Sequence, residues 1–487
     1  MRALAVLLAV VLCVGSGVVW AVADDDQPQA TKPAAVRQAP DEIRDTVEKA
    51  PRSPEANLAV DYNEKEFKKR FGRETVHAPG AWATENHFVR GTGSTLKGFK
   101  FGTFEEDWST EMTGPICDTT RHVTADGRTA VLLQGKTDKP KPKDKAKPKG
   151  KAKPKKDKKA KSKSPKADDP AKDLCDELAF FDLDTGKKLW QVKLPDAKGA
   201  FAPHTNVTMT RGTVAVAWGS GSVAYDMKRG RQLWTSAAAA ECRDLGFAGG
   251  RDLLALARCG GTDGPRFTVQ KVRPGTGKAE WTYKVARGVE HVYLVSSDPA
   301  VLAVSTAGTA VTDLITLDDR GRHRTAIDMP EDRFVDRCHK PLFGAVETCD
   351  AIVVGRDQLF LAAAKESPAD HWIVSYDLGT GKTVKKFDSK AGRPMYPLRV
   401  SGGKLLAFRP SGDGVSPAAV VSLDPRTGKE SPYLLFGMPD RIGMEDPART
   451  EIIVEHGRVF FAPRELSAQD SGPWKGTALS ALGVEGS

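Results

Sequence analysis

The sequence has no adjacent cysteines and no C-x-x-C pair, and its nine histidines show no H-E-x-x-H or H-x-H spacing. The commonest zinc and metalloprotease patterns are therefore missing. "WGSGSVA" (218–224) is not a G-x-S-x-G nucleophile elbow, and no helical pattern follows it. "DLDTGK" (182–187) opens like a calcium loop but has Lys193 where the twelfth-position glutamate belongs. "DLGTGKTVKKF" (377–387) contains a Gly-Lys-Thr step, yet Tyr376 stands where a phosphate-binding loop needs its first glycine, and "TVKKF" favours a strand over a helix. No long stretch repeats its apolar residues with helical period. No catalytic, cofactor-binding or metal-ligating residues are assigned.

Long apolar runs are absent except at the start. Ala3 to Ala23 holds 21 residues without a charge, which as a helix spans about 31 Å, close to the roughly 30 Å core of a bilayer. Arg2 precedes it, and Asp24, Asp25 and Asp26 follow. The positive-inside bias then leaves the amino terminus in the cytoplasm and exports the rest. Ala21-Val22-Ala23 also reads as a signal-peptidase site. Residues 1–23 are thus expected to be a single-pass membrane anchor or, if cleaved after Ala23, a signal that releases a secreted chain. Residues 24–57, rich in Pro, Ala and charge, read as a disordered stalk with one short helix around Asp41 to Lys49.

Six cysteines follow: Cys117, Cys175, Cys242, Cys259, Cys338 and Cys349. An even number in an exported chain predicts disulfides. Cross-strand partners lie equidistant from the turn between them. The midpoint of Cys242 and Cys259 falls in "AGGRD" and that of Cys338 and Cys349 at "LFGA", which favours pairing in sequence order. A Cys117–Cys175 bond would then close the base of the loop that holds the chain's lysine tract.

The formal charge of +10 is concentrated in that tract: residues 136–166 hold 16 Lys and 3 Asp, so the remainder is slightly acidic. The tract has no apolar residue larger than alanine, and residues 136–173 are expected to be a disordered insertion. In an exported protein it suits anionic cell-wall polymers or lipid headgroups. Nucleic acid is not expected, because no aromatic residue interrupts the lysines to stack on bases.

The β-rich remainder repeats. "AFFDLDTGKKLW" (179–190) recurs as "AYDMKRGRQLW" (224–234) and "VQKVRPGTGKAEW" (269–281), with weaker copies to residue 432 and an upstream copy, "GFKFGTFEEDW" (98–108). The markers Phe104, Gly186, Gly230, Gly277, Gly321, Gly381 and Gly428 lie 44 to 60 residues apart once 136–173 is set aside. A period in the forties with several short strands per unit predicts an all-β fold, a β-propeller of four-stranded blades over 58–487. Eight blades are favoured, with seven as the alternative, and residues just after the stalk are expected to complete the last blade. The glycines serve hairpin turns at positive φ, so the Gly-Lys-Thr step is a blade marker.

The strand, Asp-x-x-Thr-Gly turn and tryptophan-bearing outer strand resemble the pyrroloquinoline-quinone-like (PQQ-like) propeller repeat, best at Asp182, Thr185, Gly186 and Trp190 and at Asp226, Gly230 and Trp234. Arg273 replaces the aspartate of one unit, and Thr325, Lys385 and Pro432 replace later tryptophans. The resemblance implies that Trp108, Trp190, Trp234 and Trp281 dock blade on blade. Quinone enzymes of this family carry adjacent cysteines that this chain lacks. The resemblance is therefore to the cofactor-free, exported scaffold type: a non-catalytic membrane-anchored scaffold or sensor that binds protein or wall polymer. The alternative is a quinone- or metal-dependent oxidoreductase.

Overall fold

The computed structural model describes residues 38–72, 74–135, 174–201, 204–237, 242–260, 264–308, 310–330, 333–335, 338, 346–347, 349–363, 371–390, 392–413, 415–438, 444–472 and 474–486. The run Ala3–Ala23, the first part of the expected stalk and the insertion 136–173 lie outside them. Among the described residues no helix is long and apolar enough to cross a membrane.

Eight four-stranded antiparallel sheets follow one another between Ala56 and Gly486, with inner strands of successive blades in contact from blade 2 round to blade 1. Blade 1 is Ala81–Ala83, His87–Thr92, Thr95–Lys100 and Glu106–Glu111; blade 2 is Ile116–Thr119, Arg128–Leu133, Glu177–Asp182 and Lys188–Lys193. Blade 3 is Asn206–Thr210, Thr213–Ala217, Gly221–Asp226 and Gln232–Ala237; blade 4 is Cys242–Ala248, Leu254–Cys259, Arg266–Val272 and Ala279–Lys284. Blade 5 is His291–Ser297, Ala300–Ser305, Asp313–Leu317 and His323–Asp328. Blade 6 has a divided inner strand, Phe334–Val335 and Ile352–Val354, followed by Gln358–Ala363, Trp372–Asp377 and Thr383–Asp388. Blade 7 is Tyr396–Ser401, Lys404–Arg409, Ala418–Leu423 and Glu430–Phe436. Blade 8 is Thr450–Glu455, Arg458–Pro463 and Ala478–Gly486, completed by Ala56–Glu64 as its outer strand. The ring is thus an eight-bladed β-propeller that closes by pairing the two ends of the described chain. A short helix, Phe67–Phe71, and a two-residue pair of Val76–His77 with Glu465–Leu466 lie beside that closure.

Burial explains the patterns. Second strands such as "TVAVA" are buried at every position, because each lies between two neighbouring blades. Outer strands such as "EDWSTE" and "AEWTYK" alternate between exposed and half-buried, because only one face is covered. The half-buried residue is where the tryptophans sit. Trp108 of blade 1 lies on Gly186 of blade 2, so close that a Cβ on the glycine would fall 2.3 Å from Trp108 Cε3. Trp190 meets Gly230 in the same way, Trp234 meets Gly277, and Trp281 meets Gly321. These glycines have φ of 65 to 73°, so each is required twice, by its left-handed turn and by the ring pressed on it. Phe104, in the corresponding place of blade 1, takes φ 55° without being glycine. The aspartate that starts the turn caps it: Asp377 Oδ1 accepts from Thr380 N at 2.7 Å and Thr380 Oγ1 at 2.8 Å. Lys382, two residues on, is exposed.

Three disulfides join Cys117 to Cys175, Cys242 to Cys259 and Cys338 to Cys349. Cys242 and Cys259 are direct cross-strand partners in blade 4. Cys338 and Cys349 differ from the hairpin pair implied by their spacing. They lie between the two parts of blade 6's inner strand, both of which pair with Gln358–Ala363, so they are not cross-strand partners of one hairpin.

The second half of the expected stalk is also corrected. Residues 40–55 contain no helix and lie extended on the propeller, and the outer strand of blade 8 begins at Ala56, within the range assigned to the stalk. Many of their hydrogen bonds are to residues far away in sequence, such as Arg44 N to Val123 O at 2.8 Å. Composition and local periodicity carry no sign of such partners.

Candidate functional site: the closed axis and the strapped mouth

The eight inner strands stand around the propeller axis, where a propeller offers its most enclosed site. Here the loop from blade 6 enters it. Glu347 Oε2 accepts from Thr208 Oγ1 of blade 3 at 2.8 Å, and Oε1 accepts from Gly249 N at the end of blade 4's inner strand at 2.8 Å. His122 of blade 2 lies 3.3 Å from the same Oε1. Val346 O accepts from Leu294 N of blade 5 at 2.9 Å. Asp350 reaches Arg121 of blade 2 at 3.2 Å and Arg464 beside blade 8 at 2.9 Å. A loop that touches blades 2, 3, 4, 5 and 8 from blade 6 lies on the axis and bolts the ring from within.

The electrostatics fit this structural role. Burial works to raise the pKa of Glu347, but the hydrogen bond from His122, with Arg121 nearby, outweighs it and holds the carboxyl below its ordinary value. Asp118, on the inner strand of blade 2, accepts from the backbone amides of Thr119 at 2.8 Å and Val207 at 3.2 Å. Its burial dominates and pushes its pKa up to about 7. Arg90, buried between blades 1 and 8, donates to Ala78 O at 2.7 Å, Gly80 O at 3.0 Å, Ser480 O at 3.1 Å and Pro463 O. Burial lowers its pKa to about 10. It spends its donors on stitching the ring closed.

These residues do not suit a metal-bound quinone, which needs several free oxygen ligands converging on the axis. Both oxygens of Glu347 are taken, Asp118 holds two amides, and Asp350 is paired with two arginines. Among the described residues no three His, Cys, Asp or Glu side chains lie close enough to hold a metal ion. No reaction step is derived through such a group.

One mouth of the axis is crossed by residues 40–50. Asp41 O accepts from Gly212 N of blade 3 at 3.2 Å, and Glu42 pairs with Arg211 at 3.0 Å. Farther along, Thr46 Oγ1 donates to Glu455 of blade 8 at 3.1 Å, and Glu48 N donates to Ser401 Oγ of blade 7 at 2.7 Å. Blades 3 and 7 are opposite members of the ring, so the segment spans the mouth. Neither this strap nor the axial bolt has a local signature in the sequence beyond the spacing of Cys338 and Cys349.

In sequence, no curated protein matches the chain. Among solved structures it is similar to BamB from Moraxella catarrhalis, with TM-score 0.44 and 11% identity over 88% of this chain and 99% of that one. It is similar to a europium-containing methanol dehydrogenase, with TM-score 0.46 and 12% identity over 90% and 95%. It is also similar to Sqt1 from Saccharomyces cerevisiae, with TM-score 0.41 and 10% identity over 88% and 99%. At these scores none of the three carries an argument about function. A family model described as outer membrane protein assembly factor BamB matches residues 176–432, more than half of the chain. The chain belongs to this family of PQQ-like propeller-repeat proteins.

Proposed function

We propose that the chain is an extracytoplasmic, non-catalytic propeller scaffold that binds a protein partner. The observation that carries this reading is the bolted axis: a buried acidic side chain there, Glu347, is committed to Thr208, Gly249 and His122. Groups held in this way are suited to rigidity, and a rigid ring presents loops at fixed positions for recognition. The family description, an assembly factor, is in keeping with a partner that is itself a protein. Three disulfides suit an oxidising compartment. In the same reading Ala3–Ala23 anchors the chain to the cell membrane, and the lysine tract at 136–166 adheres to anionic wall polymer or lipid headgroups in a salt-dependent way.

The test is affinity capture of the full chain from solubilised membranes at low and physiological salt, beside a dye-reduction assay after incubation with quinone and calcium. One protein recovered in a fixed ratio at both salt concentrations, without dye reduction, is the expected result. Substrate-dependent dye reduction would overturn the non-catalytic reading.

A further inference from the structure

The strap at the mouth resembles a bound peptide more than a packed part of the core. Its side chains alternate: Glu42, Arg44, Thr46 and Glu48 are half-buried against the propeller, while Asp41, Asp45, Val47 and Lys49 are exposed. Apart from Ile43, which is also half-buried, the inward set is polar. Glu42 pairs with Arg211; Arg44 pairs with Glu455 at 3.4 Å and donates to Ala83 O. Thr46 bonds Glu455, and its carbonyl accepts from Arg399 Nη2 at 2.6 Å. Glu48 Oε2 accepts from Tyr433 OH at 2.9 Å and Gly457 N at 3.3 Å. Ile43 alone packs on an apolar cluster, and Val47 is 68% exposed. The segment is held mainly by polar contacts, of which the pairs of Glu42 with Arg211 and Asp45 with Arg251 are exposed and screened by salt, while those of Arg44 and Glu48 are largely buried.

Two further observations bear on exchange. At one end Glu48 Oε1, without a hydrogen bond among the described residues, lies 3.6 Å from Arg399 and shares that guanidinium with the carboxylate of Glu455. The groove itself is built by the blades. Arg399 donates to Val454 O at 3.3 Å and to Glu455 at 2.8 Å, and Tyr433 is buried in the core between blades 7 and 8, so the recognition groups stay in place without the strap.

We propose that residues 40–50 are an intramolecular ligand. They occupy a charged groove at the propeller mouth that recognises an extended peptide of the pattern acidic-x-Arg-x-hydroxyl-x-acidic, and a segment of this pattern in a partner protein displaces them. This rests on the protein-binding reading above and assigns its surface.

The probe is a fluorescent peptide of residues 40–52, titrated into the full chain and into Arg44→Ala and Thr46→Val variants, which weaken the strap and leave the groove intact. Hydrogen exchange of residues 42–49 and of the blade strands is followed in each. The expected results are faster exchange in the strap alone and about tenfold tighter peptide binding in the variants, because the self-ligand competes less. Adding Arg399→Ala should remove the gain, and a scrambled peptide should not bind. Unchanged strap exchange in both variants overturns the proposal, as does faster exchange without tighter peptide binding. Partner capture that persists under saturating peptide sinks the groove and leaves the protein-binding reading standing. Absent capture with intact peptide binding does the reverse.

Discussion

Thr208 on the inner strand of blade 3 donates its hydroxyl to Glu347 Oε2 at 2.8 Å, although Glu347 belongs to a loop of blade 6. One carboxylate therefore ties together strands that have no sheet in common. Glu347→Ala leaves the Thr208 hydroxyl, the Gly249 amide and His122 unpaired, at a cost of about 3 kcal/mol. Urea unfolding of the full chain should show that loss, and Glu347→Gln, which keeps an acceptor oxygen, should recover part of it.

The disulfide at the base of the same loop makes a second expectation. Replacing Cys338 and Cys349 by serine frees a short loop in the unfolded chain and should cost about 3 kcal/mol in the chain-entropy account. Because the bond holds the segment that places Glu347, its loss and Glu347→Ala should be less than additive. A double-mutant cycle by chemical denaturation checks this.

Asp118 gives a pH dependence of defined sign. Its folded pKa, about 7, is above the ordinary carboxylate value because the group is buried. The stability that comes from taking up a proton on folding is complete below the unfolded pKa and disappears as pH rises through 7. Between pH 6 and 8 the chain should lose about 1.4 kcal/mol from this group. Asp118→Asn should flatten that slope in unfolding experiments across the same range.

Glu48 shifts in the same direction. Burial, with the negative charge of Glu455 beside it, raises its pKa despite the hydrogen bond from Tyr433 and the charge of Arg399. The strap should therefore be held more firmly in mild acid and loosen as pH rises, with Arg44, Glu455 and His456 facing the same site. Hydrogen exchange of residues 42–49, corrected for intrinsic rates, should speed up relative to the blades between pH 5 and 8. No change in that ratio would count against the role of Glu48.

The marker glycines can be graded. Gly186→Ala must place a methyl 2.3 Å from the Trp108 ring at φ 67°, and should cost about 3 kcal/mol from strain and overpacking together. Gly428→Ala meets only the flexible stem of Lys385 at 3.4 Å and should cost about 1 kcal/mol from its backbone alone. Thermal unfolding of the two variants separates them.

That grading also explains what could be read in the sequence. The Asp-x-x-Thr-Gly turn and the tryptophan four residues on form one physical unit between adjacent blades, so its local spacing exposed the propeller; the seven markers alone did not fix eight blades, which needed the length of the chain as well. The completion of blade 8 by Ala56–Glu64 followed from a last segment that was one strand short. The strap and the bolt left no such trace. Arg44 and Val123, or Glu347 and Thr208, meet through polar contacts between distant positions. An extended segment that turns polar side chains onto the propeller looks, in composition, like a linker.

The bolted axis supports the proposed non-catalytic reading, in which the chain's own loop stands where a quinone would bind. Isothermal titration of the full chain with pyrroloquinoline quinone, in the presence of calcium or a lanthanide ion, tests it most directly. The account predicts no saturable heat and unchanged hydrogen exchange at Thr208 and Gly249. One-to-one binding accompanied by loss of protection at those two residues would contradict it.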